Sequence, residues 1–567
     1  QAMAQEARRA SQRRHAGASH APAAMATEPA AELALPDLRR DVASATSRLM
    51  PYQRQGVAFG LACGGRMLLA DEMGLGKTAQ SIVLAAHYAD EWPLLVLCPA
   101  SMRHVWAAEL ERWLPTGLAP SMVHLCEGRS FPIPAHAAVV VATYSLLEGP
   151  TQVARSAAER RFRVVIADES HYLRSPRSQR TKTLLPLLRD ARRLLLLSGT
   201  PALARPVELF AQLAALAPEA FGNYNAYVQR YCDAHQGRFG WDVRGASNVQ
   251  ELHQRLAPLM LRRQKDAVLT QLPPKRRQIV RIDIAKDHHA TMREAMEELE
   301  RLSANADELA ESSAGPGGSE RRRALMEAWR RTGEAKAETS AAYLLDLLQG
   351  SHQGHKVLVF AHHKAVLDKL ETAVARAGCG FVRIDGSVPP KERERLVALF
   401  QESEAHRVAL LSVTAAGQGL TLTAASMVLF AELHWTPGVL LQAEDRAHRV
   451  GQTSSVQIVY LVCFDPSQSL DRGLWSALGK KLGVVGQALD GRGGAWRADE
   501  CGRAGPGAAP EEGDLRHFFA EVAGLAARRC ERAEQPLGRV PRSDIRALLA
   551  RGSGAVDVGS SSGSEDG

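Results

Sequence analysis

Aromatic residues are scarce in this chain, at 5% of 567 positions. No apolar run reaches the roughly 18 residues that a bilayer-spanning helix needs, so no membrane-embedded segment is expected. Cysteine is sparse and scattered. The eight thiols (Cys63, Cys98, Cys126, Cys232, Cys379, Cys463, Cys501 and Cys530) never form a C-x-x-C pair. That argues against zinc modules and a disulfide framework and for a reducing compartment. The Ala- and Arg-rich start has no apolar stretch of signal-peptide type, and Glu6, Glu28, Glu32 and Asp37 weigh against an organelle transit peptide. The chain does not begin with Met, which leaves open whether it is a piece of a longer one. Neither sign of charge dominates: a formal balance of +8 permits a polyanionic partner without requiring one.

What is present is a globular composition, 45% apolar, in a chain too long for one ordinary core. Residues 1–48 have the composition of a disordered segment. From 49 onward, short apolar runs alternate with helical patterns. The first set is 66–70, Leu94–Cys98, 138–142, 163–167 and Arg193–Leu197. The second is 356–360, 381–384, 407–413, 427–431 and Val456–Val462. Fully apolar strands separated by helices predict parallel sheets covered on both faces. The expected fold is α/β: two doubly wound lobes, 49–217 and 336–491, joined by a mainly helical region, 218–335. A Ser/Gly/Ala-rich surface loop falls near 303–319. The tail, 492–567, is expected to be largely disordered with one amphipathic segment near 511–529.

The chemistry concentrates in a few stretches. Residues 68–78 read LLADEMGLGKT: a buried strand, a glycine turn and a helix start, which is phosphate-binding geometry. Gly74 and Gly76 let the backbone approach phosphates, Lys77 would reach the β/γ-phosphates, and Thr78 would bind Mg²⁺. The strict P-loop pattern has glycine where this chain has Asp71. A second apolar strand ends in Asp168-Glu169-Ser170-His171. There Asp168 would hold Mg²⁺, Glu169 would orient the attacking water and His171 could couple the site to neighbouring segments. Capping of a strand end is the bland alternative. Ser198-Gly199-Thr200-Pro201 follows a third strand, as a relay position or a plain turn. In the second lobe, Arg446 and Arg449 are spaced to share one helix face. They would neutralise a transferring phosphoryl group, or else pair on the surface with Glu444 and Asp445.

Taken together, PYQRQG (51–56), DEMGLGKT (71–78), DESH (168–171), LSGTP (197–201), RIDG (383–386), TAAGQGLTLT (414–423) and QAEDRAHRVGQ (442–452) resemble, in order, the Swi/Snf-type branch of superfamily-two helicase-like ATPases. WDVRGASNVQELH (241–253), VFAHHK (359–364) and AELHWTPGVLLQAEDRAHR (431–449) resemble its annealing-helicase subgroup. The resemblance implies RecA-like lobes, ATP and Mg²⁺ as cofactors, and a nuclear motor that translocates on duplex DNA and anneals or remodels it at stalled forks. It implies that Gln53 reads adenine and that Asp71, Glu72, Met73, Gly74, Leu75, Gly76, Lys77 and Thr78 form the nucleotide loop. It further implies that Arg446 and Arg449 are arginine fingers and that Gly417, Gly419 and Gln442 line the interlobe track. A nucleosome remodeller and a non-catalytic DNA-binding scaffold are the alternatives. Finally, 512–519 (EGDLRHFF) resembles a sliding-clamp-binding box, with Leu515, Phe518 and Phe519 as anchors and Glu512 where the box has glutamine. The same spacing suits a helix packed on the motor.

Overall fold

Alternate side chains of one strand serve two different cores. Leu95 and Leu97 pack on one side with Leu68, Val140 and Val165, while Leu94, Val96 and Cys98 pack on the other with Ile82, Val83 and Trp106. That division follows from the two-residue period of a strand, and it is why the run Leu94–Cys98 is apolar throughout. The computed structural model describes residues 42–114, 120–237, 240–304, 316–349, 355–414, 420–465, 469–491 and 499–500.

The first lobe contains β1 (Arg66–Leu69), β2 (Leu94–Cys98), β3 (Val123–Leu125), β4 (Val139–Thr143), β5 (Val164–Asp168) and β6 (Arg193–Leu197). A small antiparallel hairpin, β7 (His235–Gly237) and β8 (Gly240–Asp242), stands apart, and β9 (Met260–Leu261) returns to the sheet. The order is β3-β4-β2-β5-β6-β1-β9, with every pairing parallel. The second lobe contains β10 (Lys275–Arg281), β11 (Lys356–Ala361), β12 (Gly380–Ile384), β13 (His406–Ser412), β14 (Ala425–Phe430), β15 (Val456–Val462) and β16 (Asp499–Glu500). Its order is β12-β13-β11-β14-β15-β10-β16, again all parallel. The same two-faced burial recurs: Leu358 and Phe360 enter one core, Val357, Val359 and Ala361 the other.

The ten apolar runs predicted from the sequence match strands to within two residues at each end. The region 218–335, expected to be mainly helical, also lends β9 to the first sheet and β10 to the second. Neither strand carries an apolar run: β9 has two residues, and β10 reads KRRQIVR. Their strand state comes from pairing with β1 and β15, a tertiary effect that outweighs local propensity. The expected loop at 303–319 lies largely outside the described residues, as do 1–41 and 501–567. Among the described residues no helix is long and apolar enough to cross a membrane, and the six cysteines there are free thiols.

Register places the functional segments side by side. Asp168 pairs with Leu197, Leu197 with Leu69, and Leu69 with Leu261. Across four neighbouring strands the next residues are therefore Glu169, Ser198, Ala70 and Arg262. The carboxyl edge of an open α/β sheet is where ligands gather.

Candidate active site between the lobes

The turn after β1 ends on two glycines with positive φ, Gly74 at 89° and Gly76 at 72°. Gly76 caps the helix Lys77–His87, and a Cβ there would lie 2.3 Å from Gln53 Nε2. Glycine is thus required twice, by conformation and by close approach. Lys77 is half-buried, and its Nζ donates to the Asp71 carbonyl at 2.8 Å. Burial pulls its ammonium below the usual lysine range, against the pull of Glu169, Asp71 and Asp168. Asp71 and Glu72, expected among the nucleotide-binding residues, have their carboxylates bonded by the segment after β9. Asp71 is fully buried and accepts from the Arg263 backbone at 3.1 Å and from Arg263 Nε at 2.9 Å. Glu72 Oε2 accepts from the Lys265 backbone at 2.7 Å. Gln53 is engaged too: Oε1 accepts from Met50 N–H and Nε2 donates to the Leu75 carbonyl. Reading an adenine would require exchanging those bonds.

At the end of β5, both oxygens of Asp168 are held. Trp106 Nε1 donates to Oδ2 at 2.8 Å and the Glu169 N–H to Oδ1 at 2.9 Å. Burial and the Glu169 charge push the Asp168 carboxyl up to about 6, opposed by Trp106 and Lys77. Burial would raise Glu169 as well, but His171, Lys77 and Arg446 outweigh it and hold that carboxyl below the usual range. Two adjacent carboxylates thus differ in proton affinity because their surroundings differ. Glu169 also sits at φ 49°, a left-handed conformation costing a β-carbon residue on the order of 1–3 kcal/mol. His171 Nδ1 lies 3.2 Å from Glu169 Oε2 and 3.0 Å from Ser198 Oγ. Ser198 Oγ accepts from Thr200 N–H, and Thr200 Oγ1 accepts from Gln442 Nε2 of the second lobe at 3.0 Å. A chain of polar contacts therefore runs from Glu169 across the seam, with His171 in the coupling position expected from the sequence.

The two arginines do not share a helix. The helix Pro437–Glu444 ends before them. Beyond it the backbone tightens into i→i−3 bonds, Arg446 N–H to Ala443 and Ala447 N–H to Glu444. Both arginines still reach the seam. Arg449 donates to Thr421 Oγ1 at 2.8 Å, and a Cβ on Gly74 would lie 3.1 Å from Arg449 Cβ. Arg446 is 3% exposed, its Nε and Nη2 make no hydrogen bond, and burial brings its guanidinium down to about 10 against the attraction of Glu169.

Surface pairing of the arginines with Glu444 and Asp445 does not occur, because those acids are taken. Glu444 meets Lys275 at 3.0 Å and Arg277 at 2.7 Å, and Asp445 meets Lys265 at 2.8 Å and Lys275 at 3.3 Å. Burial would raise the Glu444 carboxyl, but its two cations bring it down to about 2. Glu444→Gln is expected to destabilise the protein by about 3–5 kcal/mol at neutral pH, since it leaves Lys275 and Arg277 short of an anion. Wild type holds that advantage above the ordinary carboxyl value of 4.5 and loses it as pH falls toward about 2. Thermal melts of both proteins at pH 7 and pH 3 check this. A gap that does not narrow contradicts it.

Sequence reasoning overlooked Trp106 and the cations after β9. Arg262 donates to the Ala70 and Gly199 carbonyls and pairs with Asp490 at 2.6 Å, while Arg263 holds Asp71. The available signal was the basic run Arg262-Arg263-Gln264-Lys265 with Lys275 and Arg277 beyond it. Gly417 and Gly419, and the clamp-box residues Leu515, Phe518 and Phe519, lie outside the described residues.

Comparison with family models matches residues 52–336, half of the chain, to the SNF2-related domain. The chain belongs to the SNF2-related family. Residues 339–451 match the helicase conserved C-terminal domain, which makes the protein a helicase-like ATPase of that family. The "DNA annealing helicase and endonuclease ZRANB3" of Mus musculus is 45% identical over 454 residues, 79% of this chain and 41% of that protein. The "SWI/SNF-related matrix-associated actin-dependent regulator of chromatin subfamily A-like protein 1" of Xenopus tropicalis is 43% identical over 444 residues, 78% of this chain and 45% of that one. The chain thus spans less than half the length of these relatives.

Proposed function

We propose that this SNF2-related chain hydrolyses ATP at the seam between its lobes and uses the cycle to translocate on duplex DNA, annealing or remodelling it at stalled replication forks in the nucleus. The observation that carries the hydrolytic part is Arg446: a buried guanidinium with two N–H-bearing nitrogens unbonded, electrostatically coupled to Glu169 of the other lobe. A desolvated cation with spare donors is suited to charge that develops during phosphoryl transfer. The DNA part rests on the names of the relatives. We take 49–217 and 336–491 as the bodies of the lobes and 218–335 as the connection that lends a strand to each.

In this reading the loop 71–78 receives the phosphates, with Lys77 exchanging its loop-carbonyl bonds for phosphate oxygens. Thr78 and Asp168 would hold Mg²⁺. Each Asp168 oxygen takes only one donor and keeps further acceptor capacity. Among the described residues no cluster of three or more ligating side chains forms a cage. Such a donor set fits an ion whose shell is completed by substrate phosphates and water. The ion would supply charge neutralisation. Glu169 orients and polarises the attacking water, and Arg446 and Arg449 stabilise the transferring group. Phosphate contacts would dominate DNA affinity, making it salt-dependent and weakly sequence-selective. The clamp-box reading of Leu515, Phe518 and Phe519 is tested by titrating a peptide of residues 510–522 against the sliding clamp, beside a Phe518→Ala, Phe519→Ala control.

ATPase assays with fork DNA, single-stranded DNA, RNA and nucleosomes test the main proposal. Stimulation by fork DNA above the other ligands supports it. Stimulation by nucleosomes beyond their naked DNA transfers the motor to remodelling, and no turnover with any ligand leaves a binding scaffold. Lys77→Ala is expected to lower kcat by about 10²–10³-fold with the melting temperature retained, because Lys77 bonds only to loop carbonyls. Wild-type turnover in this variant would remove the phosphate-loop argument.

A further inference from the structure

Lys265 is the least exposed cation at the seam, 2% accessible, and it belongs to neither the nucleotide loop nor the arginine segment. It stands four residues past β9, on the strand connection that leaves the first sheet and enters the second at β10. Its Nζ lies 2.8 Å from Asp445 Oδ1 and donates to the His448 carbonyl at 2.6 Å. The same Nζ is 3.8 Å from Glu72 Oε1, and the Lys265 N–H donates to Glu72 Oε2. Its stem passes the glycine turn, 3.6 Å from where a Cβ on Gly74 would sit. The ammonium therefore holds the residue before Arg446 and the residue before Arg449, and lies within ion-pair range of the second acid of the phosphate loop, which the Lys265 backbone bonds.

We propose that Lys265 is a positioning residue for hydrolysis, one that sets Arg446 and Arg449 in register with the phosphate loop. This rests on the reading of those arginines given above. Three donors on one carbon stem suit the task, since Lys265 can address a carboxylate and a carbonyl in one lobe and a carboxylate in the other. Ordinary structural pairing explains less. Asp445 has a second cation, Lys275, at 3.3 Å, whereas among the described residues no other side chain on the seam joins the two arginine-flanking residues to Glu72. A buried pair of this kind is weak evidence for stability and better evidence for geometry. Displacing a catalytic group by about 1 Å can cost on the order of 10²-fold in rate.

The test uses the full chain, with ATPase kinetics, affinity for a fluorescent ATP analogue and thermal melts. Lys265→Met keeps the stem and removes the charge. It is expected to lower kcat by about 10²-fold and to leave nucleotide affinity near the wild-type value. The double variant Lys265→Met, Asp445→Asn removes both charges of the 2.8 Å pair. It is expected to recover the melting temperature and not kcat. Recovery of both would make Lys265 merely structural and overturn the proposal. In an Arg446→Ala, Arg449→Ala background, adding Lys265→Met should cost nothing further, because both residues it positions are gone. Effects that multiply instead would also overturn the proposal. If Arg446→Ala by itself keeps wild-type kcat, the arginine reading fails and the loss in Lys265→Met must be explained without it.

Discussion

Arg446→Ala lowers kcat by about 10³–10⁵-fold, the range for removal of an arginine finger, with DNA affinity and melting temperature close to wild type. The expected size follows from the site. Arg446 is buried, its Nε and Nη2 are unbonded, and its guanidinium's bond to the Leu420 carbonyl, through Nη1, is long at 3.4 Å. Burial with so few partners penalises the resting guanidinium and lowers it to about 10, so an anionic transition state recovers interaction that the resting protein lacks. Arg449 differs. It is bonded to Thr421 and its Cβ packs against the Gly74 turn, so Arg449→Ala removes a lobe-to-loop contact as well as a charge and should also raise KM for ATP. Steady-state kinetics on both variants, with DNA binding at fixed salt, separate the two. A defect in Arg446→Ala confined to DNA affinity would assign that side chain to the nucleic-acid track.

Much of this site was legible in the sequence because it lies where apolar runs stop. The runs of β1, β5 and β6 are unbroken, and the chemistry-bearing residues follow each at once, so finding the strands also located Asp168, Ser198 and the glycine turn. The fold class was legible for the same reason: a strand that feeds cores on both faces has no polar position to disguise it. What escaped was set by tertiary pairing. β10 reads as a basic stretch, and only its place beside β15 turns Lys275 and Arg277 toward Glu444. The i, i+3 spacing of Arg446 and Arg449 suggested one helix face. The chain reaches the seam through i→i−3 turns instead, after Glu444 and Asp445 have been drawn to Lys265, Lys275 and Arg277. No local pattern reports that Asp71 will face Arg263, 192 residues away.

Glu169→Gln should bind ATP with near wild-type affinity and hydrolyse it about 10²–10⁴-fold more slowly, the range for loss of a positioned proton acceptor. The amide keeps the shape of the side chain, and the strained backbone at φ 49° depends on the β5 register and the turn Ser170–Leu173, neither of which the substitution touches. What is lost is a negative charge that His171, Lys77 and Arg446 together hold ionised against burial. Removing it also relieves repulsion on Asp168, whose carboxyl is raised in part by its neighbour, so the variant should retain or improve its hold on nucleotide with Mg²⁺. A trapped, slowly turning complex follows, with the lobes closed and the contacts from His171 to Ser198 and from Thr200 to Gln442 in place. Single-turnover hydrolysis measured beside equilibrium binding of an ATP analogue decides the matter. If binding is lost along with turnover, Glu169 shapes the loop and another group polarises the water. If turnover survives, the charge at Glu169 has no part in the chemical step.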